Sequence, residues 1–283
     1  MTNSIDKNSL LICGLPESGK STFLGALSYL INSGETNTVL QEKSWAEDRT
    51  YLNQLAQRWL ECKPMERTRK GDIHAIELIL DGNSVPFQLF IPDLSGETWN
   101  DIWSKRICPE NIVKHAQQAG GILLFIHADK IEKPVPITAI NAMDEVVGEE
   151  GEVHEAEPWD PDRCSPTQVA IVDILQLLAR PPLTTNSTKK LVVILSAWDL
   201  VLEHGLSPQE HLANEFPLLN QYLKAGFSYS DWTVFGVSAL GGDLDKDEGK
   251  LAEKDNPSER IIVRSGDNTY HDLTLPIKWL LEK

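Results

Sequence analysis

The sequence predicts an α/β domain in which an open, mainly parallel sheet carries helices on both faces and one antiparallel edge strand. Three observations carry this. Apolar runs of strand length at 9–13, 121–127 and 191–196, with a weaker one at 233–237, are nearly continuous, as expected for parallel strands buried on both faces. Segments with helical spacing of apolar residues separate them, at 21–31, 168–178, 208–223 and 275–281. Residues 73–80 and 87–91 flank Asp81-Gly82-Asn83, so they read as an antiparallel hairpin that supplies the edge strand.

Each element has a local reason. In 21–31, Phe23, Leu24, Leu27 and Leu30 fall on one helical face, and Gly34 is a natural stop. An extra helix near 44–60 places Trp45, Leu52, Leu55 and Trp59 on one side, as a cover for the sheet. Between 130 and 165 lies an acidic stretch with Glu149, Glu150, Glu152, Glu155 and Glu157, which reads as a solvated insertion or, alternatively, an acidic docking loop. The 283 residues, 41% hydrophobic and 24% charged, suit one elaborated domain spanning 1–283.

Formal net charge is −16. Such a surface repels nucleic acids and anionic lipids, which argues against both as partners. It leaves room for a small phosphate ligand held by backbone N–H groups and one Lys. No apolar stretch approaches the ~20 residues of a membrane span, and residues 1–10 do not read as a secretory signal. Cys13, Cys62, Cys108 and Cys164 are scattered without a CxxC pair, which fits a reducing, cytoplasmic location rather than a zinc site or disulfide framework.

Gly14-Leu15-Pro16-Glu17-Ser18-Gly19-Lys20-Ser21 has the form GxxxxGKS, between a buried strand and an amphipathic helix. In that context the backbone curls around a phosphate and the helix N-terminus adds a favourable dipole. Gly14, Glu17, Ser18, Gly19, Lys20, Ser21 and Thr22 are therefore the candidate phosphate-binding residues. Lys20 would reach the β- and γ-phosphates, and the Ser21 hydroxyl would ligate Mg²⁺. A second element, Asp93-Leu94-Ser95-Gly96, follows the hairpin. There Asp93 can serve the Mg²⁺ shell and the Gly96 N–H can meet a γ-phosphate, although alone the pattern also describes a turn or helix cap.

With Ser196-Ala197-Trp198-Asp199 after the strand at 191–196 and Ser238-Ala239-Leu240 after 233–237, the order of these motifs resembles the Ras-like, translation-factor-related P-loop GTPases. That resemblance implies binding of GTP and GDP with Mg²⁺. It implies that Thr68, before the hairpin, closes over Mg²⁺ and the γ-phosphate, with Thr36 and Thr38 as rivals or Thr68 as an ordinary loop residue. It also implies that Asp199 accepts two hydrogen bonds from guanine, supported by Ser238, Ala239 and Leu240. Ser196 and Ala197 depart from the family's Asn and Lys, and Trp198 either covers the base or belongs to the core. A closer resemblance, carried by DLSGETW, LSAWDL, VFGVSA with Gly241-Gly242 and the final TLPIKWL, is to the bacterial double-GTPase proteins of the first-partner type. It implies a bacterial cytoplasmic GTPase, often found beside a second GTPase-like protein in defence or signalling modules.

Departures from the family pattern leave the chemistry open. Glu97 stands where relatives carry a water-orienting Gln, so it either positions the attacking water or repels the γ-phosphate. Arg67 is an internal arginine finger or a solvated loop residue. The candidate catalytic set is Lys20, Glu97, Thr68 and Arg67, and the candidate metal set is Ser21, Thr68 and Asp93. Two functions follow: a GTP hydrolase that acts as a switch, or a nucleotide-gated interaction module with little hydrolysis.

Overall fold

The computed structural model describes residues 6–44, 49–66, 73–82, 85–94, 96–135, 138, 160–184, 189–226, 228–244, 246–247, 251 and 256–282. In chain order the elements are β1 (Asp6–Cys13), α1 (Lys20–Ser33), β2 (Gln41–Ser44), α2 (Thr50–Leu60), β3 (Ile73–Gly82), β4 (Val85–Leu94), α3 (Gly96–Lys105), α4 (Glu110–Gln118), β5 (Ala119–His127), α5 (Pro161–Cys164), α6 (Thr167–Leu178), β6 (Lys189–Ser196), α7 (Pro208–Glu215), α8 (Pro217–Lys224), β7 (Tyr229–Ser238), β8 (Ile262–Ser265), β9 (Asn268–Tyr270) and α9 (Leu275–Leu281). Short 3₁₀ segments cover Trp198–His204 and Pro257–Arg260.

Among the described residues, one nine-stranded sheet runs in the order β2-β3-β4-β1-β5-β6-β7-β8-β9. The five central strands, from β4 to β7, are parallel. β3 pairs antiparallel with β4 over the whole hairpin, from Ile73↔Leu94 to Gly82↔Val85. The expectation of one antiparallel edge strand is corrected in extent. β2 lies outside β3, and β8 and β9 continue the sheet beyond β7, all antiparallel. These added strands have only four, four and three residues, too few for an alternation to be read.

The continuous apolar runs split by alternation onto the two faces. Leu10 and Ile12 of β1, Leu123 and Phe125 of β5, and Val192 and Ile194 of β6 pack with α1, α2 and α9. Leu11 and Cys13, Ile122, Leu124 and Ile126, and Leu191, Val193 and Leu195 pack with α3, α4 and α6 to α8 on the other face. Adjacent strands β1 and β5 thus lead into helices on opposite faces. That is the arrangement in which open α/β sheets form a crevice beyond their carboxyl ends.

Two helix expectations change, and two helices stand where none was expected. The helix expected near 44–60 is α2, starting at Thr50, because Ser44 belongs to β2 and pairs with Ile79; Trp45 lies outside the described residues. The segment 208–223 is two helices, since Pro217 has no N–H to continue the first one and Phe216 between them has non-helical φ −127 and ψ 56. Residues 96–118 form α3 and α4, whose buried sides are short: Trp99, Ile102 and Trp103 in α3, Ile112 and Ala116 in α4. Residues 139–159 of the acidic segment lie outside the described residues. Its first residues are exposed, as expected, yet tied to the neighbouring helices. The Glu132 N–H donates to Thr167 Oγ1 at 2.9 Å, the Thr167 N–H donates to the Glu132 carbonyl at 3.0 Å, and Lys133 pairs with Glu215 at 2.6 Å.

Candidate functional site

The loop after β1 turns through Gly14–Gly19 and enters α1 at Lys20. Gly19 has φ 84, a left-handed value that only glycine adopts freely, and a Cβ there would lie 3.0 Å from the Ser196 side chain. Lys20 is buried. Its Nζ donates to the Gly14 carbonyl (2.9 Å), the Leu15 carbonyl (2.9 Å) and Ser18 Oγ (3.0 Å), so the cation is held by the loop that surrounds it. Charge-assisted bonds of this kind are roughly twice as strong as neutral ones. Glu17, at φ 59, turns to the rim, where its Oε2 accepts from Lys130 Nζ at 3.0 Å. Its carboxylate is thereby paired with a cation.

The second motif meets the first through backbone. Gly96 opens α3 and is buried, and a Cβ on it would stand 2.5 Å from both the Cα and the N of Pro16. No side chain fits there, so the N-terminus of α3 rests directly on the phosphate loop. Glu97 follows in the first turn of α3, where a negative charge is favoured by the helix dipole. Residues 16–22, Pro64, Met65, Glu66, Gly96, Glu97 and Leu244 enclose a cleft of about 380 Å³. Asp93 lies on β4 in register with His74, three residues beyond Phe90, which pairs with Ser9 of β1. It therefore reaches the same carboxyl edge. Arg67 and Thr68 lie outside the described residues, but Pro64 to Glu66 just before them already line this cleft. Thr36 and Thr38 follow the far end of α1, about 20 Å from the loop at 1.5 Å rise per residue, and are not among the residues lining it.

The other half of the trench is a cleft of about 510 Å³ whose lining includes Asp199, Ser238, Ala239 and Leu240. Glu17, Gly19, Thr22 and Leu244 border both clefts, which makes them one continuous groove. Ala197 adopts a left-handed φ of 52 just past β6. Asp199 Oδ1 accepts from the Ser238 hydroxyl, and Ser238 Oγ accepts from the Gly241 N–H at 3.0 Å. Trp198 is decided for the core. It is 1% exposed and its ring meets His211 edge-on at 5.4 Å.

His127 and Lys130 also line this cleft, and the sequence reading missed both. His127 Nδ1 accepts from the N–H groups of Asp129 (3.2 Å) and Lys130 (3.0 Å), which requires that nitrogen to be unprotonated. Burial, helped by the Lys130 charge, holds the imidazole below its ordinary pKa and so keeps it neutral. His211 Nε2 donates to the Ala128 carbonyl at 3.0 Å, and burial lowers its pKa as well. Two neutral histidines thus shape the turn that carries Lys130 to Glu17. A polar residue directly after a buried strand was the only available signal.

The groove joins a GxxxxGKS loop, a helix N-terminus pressed on it, and an Asp–Ser pair at the ends of β6 and β7. Over residues 11–280 the chain matches the Double-GTPase 1 family. The chain belongs to that family. Family membership makes it a GTP-binding protein, as the motif order implied. No curated protein matches it. Among solved structures it is similar to a crystal structure of Sup35 complexed with GDP, with 14% identity and a TM-score of 0.38, over 85% of this chain and 39% of the Sup35 chain. This double-GTPase chain thus spans well under half of that chain. Among the described residues, no helix is long and apolar enough to cross a membrane.

Proposed function

We propose that this chain binds GTP with Mg²⁺ in the groove, hydrolyses it slowly to GDP, and acts as a switch. The observation that carries the reading is the contact of Gly96 with Pro16, which puts a helix N-terminus beside the phosphate loop. A γ-phosphate in that loop would be felt directly by α3. Lys20 exchanges its loop carbonyls for β- and γ-phosphate oxygens. Ser21, Asp93 and Thr68 would hold Mg²⁺; the hard oxygen donors of this set suit that ion. When bound, Mg²⁺ neutralises charge on the phosphates. Glu97 orients the attacking water, and Arg67 acts as an internal finger. Asp199, with Ser238, Ala239 and Leu240 around it, reads guanine. The partner is a second GTPase-like or effector protein in the bacterial cytoplasm, within a defence or signalling module, and the net charge of −16 fits a protein partner better than nucleic acid.

The second reading, a GTP-gated module with little hydrolysis, is favoured by one observation: Glu97 lines the phosphate cleft, where its carboxylate opposes a triphosphate, while Glu66 beside it is paired with Arg58 at 2.8 Å. Phosphate release at saturating GTP separates the two, with binding measured independently. Glu97→Ala is expected to slow release by about 10-fold at nearly unchanged affinity, because a water-positioning contact is made chiefly in the transition state. Arg67→Ala slows it if Arg67 is a finger. Faster release from Glu97→Gln identifies repulsion and favours the gated module. Unchanged release in all three variants moves the catalytic groups to a partner.

A further inference from the structure

Helix α2 does more than cover the sheet. Trp59, fully buried near its end, donates its indole N–H to the Ala239 carbonyl at 2.7 Å, across 180 residues of chain. The indole is itself clamped. The guanidinium of Arg260 lies 4.2 Å from the ring centroid, and Arg260 is 2% exposed. Arg260 Nη2 donates to the Trp59 carbonyl (3.4 Å), Nη1 to Cys62 Sγ (2.6 Å) and Nε to the Pro257 carbonyl (3.2 Å). Swinging the indole away would give up the cation–π contact with a buried guanidinium, which is worth more when desolvated than at the surface.

The bond to Ala239 fixes more than one atom. A peptide unit is planar and trans, so its N–H points opposite to its C=O. With the Ala239 carbonyl held toward α2, the N–H of Leu240 is directed away from α2. Ala239 and Leu240 both border the cleft that contains Asp199. The other end of the loop is tied through Ser238, which donates to Asp199 and accepts from Gly241. The loop therefore has two anchors: Asp199 by way of Ser238, and Trp59.

We propose that Trp59, locked by Arg260, is a specificity-positioning residue that holds the 238–241 loop so that the backbone N–H of Leu240 meets the O6 acceptor of guanine. This rests on the guanine-nucleotide reading above. Asp199 reads the N1 and 2-amino donors; Trp59 governs the opposite edge of the ring. Adenine carries an amino donor where guanine carries O6, so a rigidly held N–H rejects it, whereas a loose one can turn away.

Two analogues separate the edges. Inosine triphosphate lacks only the 2-amino group, and 6-thioguanosine triphosphate changes only O6. Their affinities relative to GTP are compared in wild type, Trp59→Phe and Arg260→Lys. The Phe variant keeps a ring under the guanidinium and loses the donor. The GTP preference over the 6-thio analogue is expected to fall by about 10-fold in Trp59→Phe, the scale of one mispositioned hydrogen bond, and in the same direction in Arg260→Lys. The preference over inosine triphosphate stays as in wild type. An unchanged 6-thio ratio in both variants overturns the proposal, as does an equal fall in both ratios, which marks general loosening. A wild type without guanine preference removes the reading on which the proposal rests.

Discussion

Replacing Lys20 with alanine is expected to weaken GTP and GDP binding by about 100-fold or more, because one charge-assisted phosphate contact and the organisation of the loop are lost together. In the structure the ammonium group bonds the carbonyls of Gly14 and Leu15 and the Ser18 hydroxyl. Without it those acceptors crowd one another beside incoming phosphate oxygens, with no cation between them. A thermal shift reads this directly. A ligand at 100 times its Kd stabilises the folded state by about 2.7 kcal/mol, which for a domain of this size raises Tm by roughly 5–10 °C. Wild type should show that shift with GDP, and Lys20→Ala at the same concentration should show almost none. A full shift in the variant would remove Lys20 from the phosphate site.

Asp199→Asn is expected to exchange guanine for xanthine. Ser238 donates to Oδ1 of Asp199. In the variant the same hydroxyl holds the amide oxygen, which leaves the amide N–H₂ facing the base. Guanine then presents a donor to a donor, while xanthine presents its O2 acceptor. Sites that hydrogen-bond a substrate reject a mismatched analogue strongly, since buried polar groups are left unpaired. The preference for GTP over xanthosine triphosphate should fall by about 100-fold or more and reverse. Competition of the two nucleotides for wild type and variant checks it. A variant that keeps full GTP affinity and gains none for xanthosine takes Asp199 out of base recognition.

The parts of the site legible in the sequence are those whose chemistry is local. The phosphate loop is eight consecutive residues between a strand and a helix. Asp199 and Ser238 follow apolar runs long enough to be recognised as strands. Gly96 was legible as a backbone N–H donor to a γ-phosphate, although not that it rests on Pro16 with no room for a side chain. What escaped the reading depends on chain pairing. Lys130 reaches Glu17 across 113 residues. Nothing in the polar segment after β5 marks one lysine among its neighbours. Trp59 reads as an ordinary apolar helix residue, and only the folded chain brings its N–H to Ala239. Ser44 has a helix-compatible sequence around it, yet it is claimed by β3 through long-range pairing, which outweighs local propensity.

Displacement of a fluorescent GDP analogue from the full chain in Mg²⁺ buffer, by GDP, GTP and ATP in turn, tests the central claim most directly. GDP and GTP should each displace it at concentrations about 100-fold or more below those needed for ATP, since adenine leaves the Asp199 carboxylate without its donors. Displacement by ATP at the same concentrations as GTP, or failure of the analogue to bind at all, would contradict the account.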